Sequence, residues 1–218
     1  KVQCRRYASA AEEAEEIAAE IKARAVGGDY GRFAVLYRTN AQSRVLEERF
    51  VAAGIPYRLV GGVNFYQRRE IKDILAYLKT VANAADDLAV QRILNVPKRG
   101  IGAATVTAVS AFAAERDLRF FEALREAPAA GVAGRAGEKI QRFVNLIGEF
   151  RKAAESCSIA DLIRLVLDKS GYLEALKEEG EVEAQSRLEN IDELISKAVD
   201  FARDTSDLSD RADGELPP

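Results

Sequence analysis

The segment "GIPYRLVGGVNFYQRREIKDILAYL", residues Gly54–Leu78, contains the point at which the hydrophobic pattern of the chain changes. Before its paired glycines, the apolar residues fit buried strands and one connecting helix. After them, every segment with a clear period fits the 3.6-residue repeat of an α-helix. The sequence therefore predicts an α/β part followed by a mainly α-helical part.

In the first part, "AAEEAEEIAAEIKARAV" predicts a helix that Ser9 caps. Two predicted strands follow, "RFAVLYR" and "PYRLVG", separated by a helix over "AQSRVLEERFVAAG". A strand, helix and strand in this order imply parallel strands. Because two strands do not make a stable sheet alone, we expect a fragment with a short parallel sheet, whose other strands lie elsewhere in a longer natural chain.

In the second part, the apolar periodicity predicts seven helices. They span residues 68–82, 86–95, 103–116, 119–126, 134–154, 159–169 and 181–202. The tail "RDTSDLSDRADGELPP" has five acids and few apolar residues, which is typical of a linker. We therefore predict an α/β domain over residues 1–62, a helical domain over 63–203 and an acidic linker over 204–218.

The overall charge excludes a protein that coats nucleic acid indiscriminately. The 218 residues include 32 Lys and Arg against 35 Asp and Glu, a net charge of −3. Any contact with nucleic acid must therefore be local. No apolar run approaches the ~20 residues that span a bilayer, so we expect a cytoplasmic chain without a membrane partner.

The residue types argue against metal and disulfide chemistry. The chain has no histidine, and its two cysteines, Cys4 and Cys157, lie far apart. A zinc site or a disulfide framework is therefore not expected. There is also no GxxxxGK[ST] loop, no recognisable carboxylate pair and no nucleophile elbow. We predict no catalytic and no metal-binding residues.

The segment "NVPKRGIGAAT", residues Asn95–Thr105, is the strongest candidate for a binding site. Glycines at 100 and 102 permit positive φ and the close approach of a bulky group, and the helix that follows presents free amides to an anion. Ile101 would anchor the turn in the core. This pattern predicts the hairpin of a helix-hairpin-helix that binds DNA phosphates without reading base sequence.

Local charge supports this interpretation. Arg92, Lys98 and Arg99 form a cluster with no acid between them in an otherwise acidic chain, as expected at a phosphate site. The alternative is an ordinary turn between two helices that happens to contain glycine.

Two further segments carry candidate ligand-binding groups. "LYRTNAQSR" follows the first predicted strand, where α/β folds place ligands, although Thr39 or Asn40 as a simple helix cap is an alternative. In "GGVNFYQRREIKD", the paired glycines would form a hinge, the two aromatics would stack on a base and the cations would meet phosphates. The alternative is that the aromatics belong to the core and that the charges lie on a solvated helix face.

A fourth segment, "EAQSRLENIDELI", lies on the last predicted helix. Its apolar face consists of leucines and isoleucines. We therefore expect Gln185, Arg187 and Asn190 at the surface or against another domain.

Taken together, "FAVLYRTNAQSRVLEERF", the opening segment, "NVPKRGIG" and "EAQSRLENIDEL" resemble the superfamily 1A bacterial DNA helicases of the PcrA, UvrD and Rep group, closest to the PcrA branch. The resemblance extends to about Phe201. It implies a chain that comprises the first part of the RecA-like motor domain 2A followed by its inserted helical domain 2B.

The resemblance also implies roles for single residues. The 2A motif along single-stranded DNA falls on Tyr37, Arg38, Thr39, Asn40, Ser43 and Arg44, and the hinge and next motif on Gly61, Gly62, Phe65, Arg68 and Lys72. The duplex-binding loop of 2B falls on Lys98, Arg99, Gly100, Ile101 and Gly102, to which we add Arg92 and Thr105.

The family implies a part of an ATP-dependent 3′ to 5′ helicase for DNA repair and replication. ATP and Mg²⁺ would serve the full-length parent, and none is expected on this inactive, monomeric fragment. The expected partners are DNA with a junction of single strand and duplex, and proteins of repair, replication initiation or transcription. One rival is a regulatory domain that swivels about the paired glycines. Another is a stand-alone helix-hairpin-helix protein, which would need a complete sheet.

Overall fold

A computed structural model describes residues 2–39, 42–60 and 64–212. Ten α-helices lie in these ranges. They are α1 (Ala10–Arg24), α2 (Ser43–Ala53), α3 (Arg69–Ala82), α4 (Asp87–Leu94), α5 (Ala103–Arg116), α6 (Phe120–Arg125), α7 (Gly134–Ala154), α8 (Ile159–Lys169), α9 (Tyr172–Lys177) and α10 (Glu181–Ala212). Short 3₁₀ turns occur at Val26–Gly28, Tyr30–Arg32 and Phe65–Gln67.

The predicted helices from α3 to α8 agree with the structure to within one residue at each end. The start and stop signals of α8 act as expected, because Ser158 Oγ accepts from the amide of Asp161 and Gly171 has φ +76°. Two features differ from the predictions. The six-residue helix α9 was not expected, and α10 continues ten residues beyond the predicted end at Ala202.

The predicted parallel sheet is not present in the described part of the chain, where no residue forms a β-strand. The described residues of both segments alternate in exposure, as an extended chain does: Phe33 and Val35 are half-buried, whereas Leu36 is 94% and Val60 81% exposed. This alternation is typical of a strand with one covered face. The prediction was wrong for the described residues because a sheet also requires a paired neighbour, and neither segment pairs with the other.

The helices bury three apolar clusters. The largest joins α3 to α8 and includes Ile101 and Phe143. A second cluster joins α3, α8, α9 and α10 around Phe65 and Ile191. A small third cluster packs α1 on α2 and on the two extended segments. Because α3 contributes to the two larger clusters, it is the central helix that fixes the position of the α4–α5 hairpin.

Candidate nucleic-acid interface

The hairpin between α4 and α5 is held by its own side chains. Asn95 Oδ1 accepts from the amide of Arg99 at 2.7 Å and from that of Ile101 at 3.4 Å. The Ile101 side chain is only 3% exposed and belongs to the largest apolar cluster. The predicted anchoring of the turn by Ile101 therefore matches its position in the structure.

The hairpin presents unpaired amides at the start of α5. Gly102, Ala103 and Ala104 are exposed, and in the described part of the chain none of their N–H groups has an acceptor. Gly102 occupies the N-cap position of α5. Free amides at this end coincide with the positive end of the helix dipole, so the turn suits an anion.

Glycine has a different structural reason at each of the two positions in the turn, 100 and 102. Gly100 has φ +69°, where glycine is favoured, whereas Gly102 has φ −79° and ψ 163°, which any residue adopts. The expected positive φ is therefore found at Gly100 only. A Cβ at Gly102 would meet no protein atom within 4 Å. The chain itself leaves open space at Gly102, and glycine also suits the N-cap position.

The three predicted cations have different environments. Lys98 is exposed, and in the part of the chain that the structure describes it makes no polar contact. Arg99 points inward, and its Nη2 donates to the Tyr77 hydroxyl at 2.5 Å. Arg99 Nη1 contacts four carbonyl oxygens, of Ile93, Leu94, Val96 and Pro97, at 2.8 to 3.5 Å. Arg99 therefore caps the end of α4, and Lys98 is free to bind an external anion.

Arg92 and Thr105 complete the predicted set. Arg92 Nε donates at 2.8 Å to Asp73, a buried carboxylate on α3 that also accepts from Tyr172. This ion pair orients Arg92, and the carboxylate of Asp73 partly neutralises the guanidinium charge. Thr105 is half-buried in the first turn of α5.

The structure adds a cation that the sequence analysis missed. Lys139 on α7 donates from Nζ to the carbonyl oxygen of Gly100 at 2.9 Å, across 39 residues of sequence. A Cβ at Gly100 would lie 2.6 Å from that Nζ atom. No local motif marks Lys139, because the contact depends on how α7 packs beside the hairpin.

Several of the residues that the resemblance assigns to single-stranded DNA are engaged within the protein. Ser43, Arg44 and Arg68 are 0%, 5% and 7% exposed. Arg44 Nε donates to Glu193 on α10 at 2.7 Å, and its Nη1 donates to Glu48. These contacts tie α2 to α10.

Arg68 is the centre of a second buried network. Its Nη1 donates to Asn190 Oδ1 and its Nη2 to Ser43 Oγ, each at 2.7 Å. Asn190 in turn donates to Glu70 at 2.6 Å. Asn190 was expected at the surface or against another domain; it is 4% exposed, so the surface position was wrong. Its side-chain oxygen accepts from Arg68 and its nitrogen donates to Glu70, so both ends of the amide are used between two charged groups inside the protein.

Burial and neighbouring charges shift the pKa values in these networks. Burial disfavours charge on Arg44, but Glu193 and Glu48 outweigh it and raise the pKa of the guanidinium. Burial also opposes ionisation of Glu48, yet hydrogen bonds from Lys197 and Tyr66 and the charge of Arg44 lower its pKa. Burial and then Glu48 raise the pKa of Tyr66 to about 12.

The remaining predicted contacts are placed as follows. Tyr37, Thr39 and Lys72 are half-buried and Arg38 is exposed. Phe65 is fully buried, as in the core alternative, and its neighbour Tyr66 is 41% exposed. Three predicted residues, Asn40, Gly61 and Gly62, lie outside the described residues.

A groove of about 910 Å³ lies between the two extended segments. Phe33, Val35 and Tyr37 line one side and Tyr57 and Leu59 the other. The groove therefore follows the edges of both predicted strands.

Two features are absent from the described residues. No group of three or more His, Cys, Asp or Glu side chains is arranged to hold a metal ion. In these ranges, no helix combines the length and the apolar character needed to cross a membrane.

Comparison with known proteins identifies the family of this chain. The profile of the UvrD-like helicase C-terminal domain matches residues 1–212. The chain is 44% identical over 195 residues to an ATP-dependent DNA helicase PcrA of Staphylococcus epidermidis and 45% identical to one of Staphylococcus aureus. Each match covers 89% of this chain and 27% of the relative, so the chain spans about a quarter of their length. The chain belongs to the UvrD-like helicase C-terminal domain family.

Proposed function

We propose that this chain is the duplex-gripping part of an ATP-dependent DNA helicase that translocates 3′ to 5′. The α4–α5 hairpin would bind the phosphate backbone of the duplex while a motor advances along one strand. The relatives are named as ATP-dependent DNA helicases, which supports the enzyme class of the parent. Contacts to phosphate carry no base information, so the grip would be independent of sequence.

The observation that carries this proposal is the open, unpaired hairpin. Three exposed residues at the start of α5 have amides without an acceptor in the described chain, Lys98 has no internal partner there, and Gly102 leaves room for a close approach. A phosphate would satisfy the amides and gain from the helix dipole. Arg99 would shape the turn, and Lys98 would provide the free charge.

We further propose that residues 1–62 form part of a RecA-like motor domain and that 63–203 form the helical domain. The acidic region from 204, which begins as the last turns of α10, would be a linker. The groove between the extended segments supports the first assignment, since exposure along the segments that line it alternates as in strands that lack a neighbour. Strands from the rest of a longer parent would fill it. Exposed Arg38 and Tyr66 are then the best-placed groups to meet single-stranded DNA.

ATP and Mg²⁺ would serve the parent enzyme. The described residues do not fit a metal site, because no cluster of carboxylate, His or Cys ligands is present among them. No step of the proposed mechanism is therefore assigned to this chain through either group.

Binding of a fluorescent blunt duplex, measured by anisotropy over a series of salt concentrations, tests the proposal. We expect salt-dependent affinity that Gly102→Val reduces strongly, because a β-branched side chain fills the approach to the free amides. Lys98→Ala should weaken binding and lower the salt slope by about one. Absence of salt-dependent binding, or binding indifferent to both changes, would contradict the proposal.

The ion pairs between α2 and α10 favour a second candidate, a regulatory domain whose orientation controls the parent helicase. Arg44–Glu193 and Lys197–Glu48 link the α/β part to the last helix. In the full-length parent, Glu193→Gln should change the rate of unwinding without changing duplex affinity. An unchanged unwinding rate would count against regulation through this contact.

A further inference from the structure

We infer that α7 provides a second row of duplex-binding cations, formed by Arg135, Lys139 and Arg142. The inference rests on the proposed duplex grip and extends it to residues that no motif indicates. We call these three residues the α7 row. Their spacing of four and three positions places them on one face of the helix.

Lys139 connects the α7 row to the hairpin. Its Nζ atom lies 2.9 Å from the Gly100 carbonyl oxygen, and this contact uses one of the three ammonium donors. The contact places a positive charge beside the turn that carries the free amides. A phosphate held by those amides would then lie near two cations, Lys98 and Lys139.

Arg135 has no evident role in stabilising the fold. It is exposed, and among the described residues it has no hydrogen bond, ion pair or ring contact. It also lies in the first turn of α7, where the helix dipole disfavours a positive charge. An external anion would account for a cation at this position.

The geometry of the α7 row suits a DNA strand. Arg135 and Lys139 are separated by about 6 Å along the helix axis, and Arg142 lies about 10 Å from Arg135. Arg142 is exposed, and its Nε donates to the Glu138 carbonyl at 3.4 Å. Glu138 is the acid next to the row, so the net charge of this stretch of α7 remains +2. Long cationic side chains at this spacing can follow consecutive phosphates.

The test compares Arg135→Ala, Lys139→Ala and the double variant with the unmodified chain, using the same blunt duplex and salt series. We expect each single change to weaken binding about three- to tenfold and to reduce the salt slope by about 0.9. The double variant should lose about twice that slope. Glu138→Gln should strengthen binding, because it removes a repelling charge.

Lys152→Ala is the matched control, since Lys152 is exposed on α7 but faces a different side near the other end of the helix. It should leave binding unchanged. Lys139→Ala also removes the contact with the Gly100 carbonyl oxygen, so Lys139→Arg, which keeps a cation there, and Arg135→Ala, which does not touch the hairpin, are measured for thermal stability as well. Both should retain the unmodified melting temperature.

The outcomes separate this inference from the proposed function. If the unmodified chain binds, Gly102→Val abolishes binding and the α7 variants equal Lys152→Ala, the α7 row is wrong and the hairpin grip stands. If the unmodified chain does not bind duplex at all, both are wrong.

Discussion

Arg44 Nε lies 2.7 Å from Glu193 Oε1, and this contact joins α2 to α10 across 149 residues of sequence. Glu48 is the second carboxylate on the same guanidinium, at 3.1 Å. Glu48 also accepts from Lys197 at 3.0 Å. Four charged side chains thus form one alternating network between the N-terminal part of the chain and its last helix.

Glu193→Gln should destabilise the protein by about 1–2 kcal/mol, because Arg44 is almost fully buried and would keep only Glu48 as a charged partner. Urea unfolding followed by circular dichroism measures this change. Glu189→Gln on the same helix is the control, since the one polar contact of Glu189 among the described residues is with Gln185, at 3.5 Å. Its effect should stay within about 0.5 kcal/mol. Equal effects of the two variants would rule out a stabilising Arg44–Glu193 pair.

Asn190→Ala should cost about 2 kcal/mol of unfolding free energy, because it leaves Arg68 and Glu70 buried without their shared partner. The same unfolding measurement applies. Gln185→Ala, on the same helix but at an exposed position, provides the comparison. A loss below about 0.5 kcal/mol for Asn190→Ala would show that the buried bridge contributes little.

Substitutions of the neighbours Arg99 and Lys98 should affect different properties, the first stability and the second duplex binding. Arg99→Ala should lower the melting temperature clearly, because four carbonyl contacts and the Tyr77 hydroxyl lose their donor. Arg99→Lys should not restore stability, since one ammonium cannot replace the planar guanidinium. Lys98→Ala should leave the melting temperature unchanged and weaken duplex binding. A melting temperature that falls equally in both variants would contradict the assigned division of roles.

The helical part of the fold was largely predictable from the sequence. The bounds of α7 and α8 follow from a long 3.6-residue period and from local start and stop signals such as Ser158. The absence of a sheet from the described residues was not predictable, because the alternation in "RFAVLYR" indicates a strand but does not show whether a neighbouring strand is present to pair with it. The end of α10 was missed since a polar, acidic segment resembles a linker whether or not it is helical.

The candidate site was predictable only where its signals are local. The two glycines and Ile101 predicted the hairpin, and the structure has Ile101 buried there. Lys98 and Arg99 look equivalent in sequence, and only the packing of Tyr77 and the end of α4 distinguishes them. Lys139, Glu193 and Asn190 reach their partners through contacts that span 39 to 149 residues, which no local pattern reveals.

The lowered pKa of Glu48 predicts a pH-dependent contribution to stability. In the unfolded chain this group should titrate near its ordinary value of about 4.3. Its contribution is therefore fully present above that value and is lost as pH falls through the lower pKa of the folded state. The difference in unfolding free energy between the unmodified chain and Glu48→Gln should shrink below about pH 4.3. A difference that stays constant across this range would contradict the assigned shift.

The raised pKa of Tyr66 predicts a complementary effect in alkali. With a pKa of about 12, Tyr66 should remain neutral where an ordinary tyrosine, near about 10, ionises. Its stabilising contribution is complete below about pH 10 and is lost as pH rises through the folded value. Ultraviolet absorbance titration of the unmodified chain and Tyr66→Phe identifies this step by difference. Because burial is the larger cause and Glu48 the second, Glu48→Gln should lower the pKa of Tyr66 without returning it to the ordinary value; no change would show that the Tyr66–Glu48 hydrogen bond does not contribute.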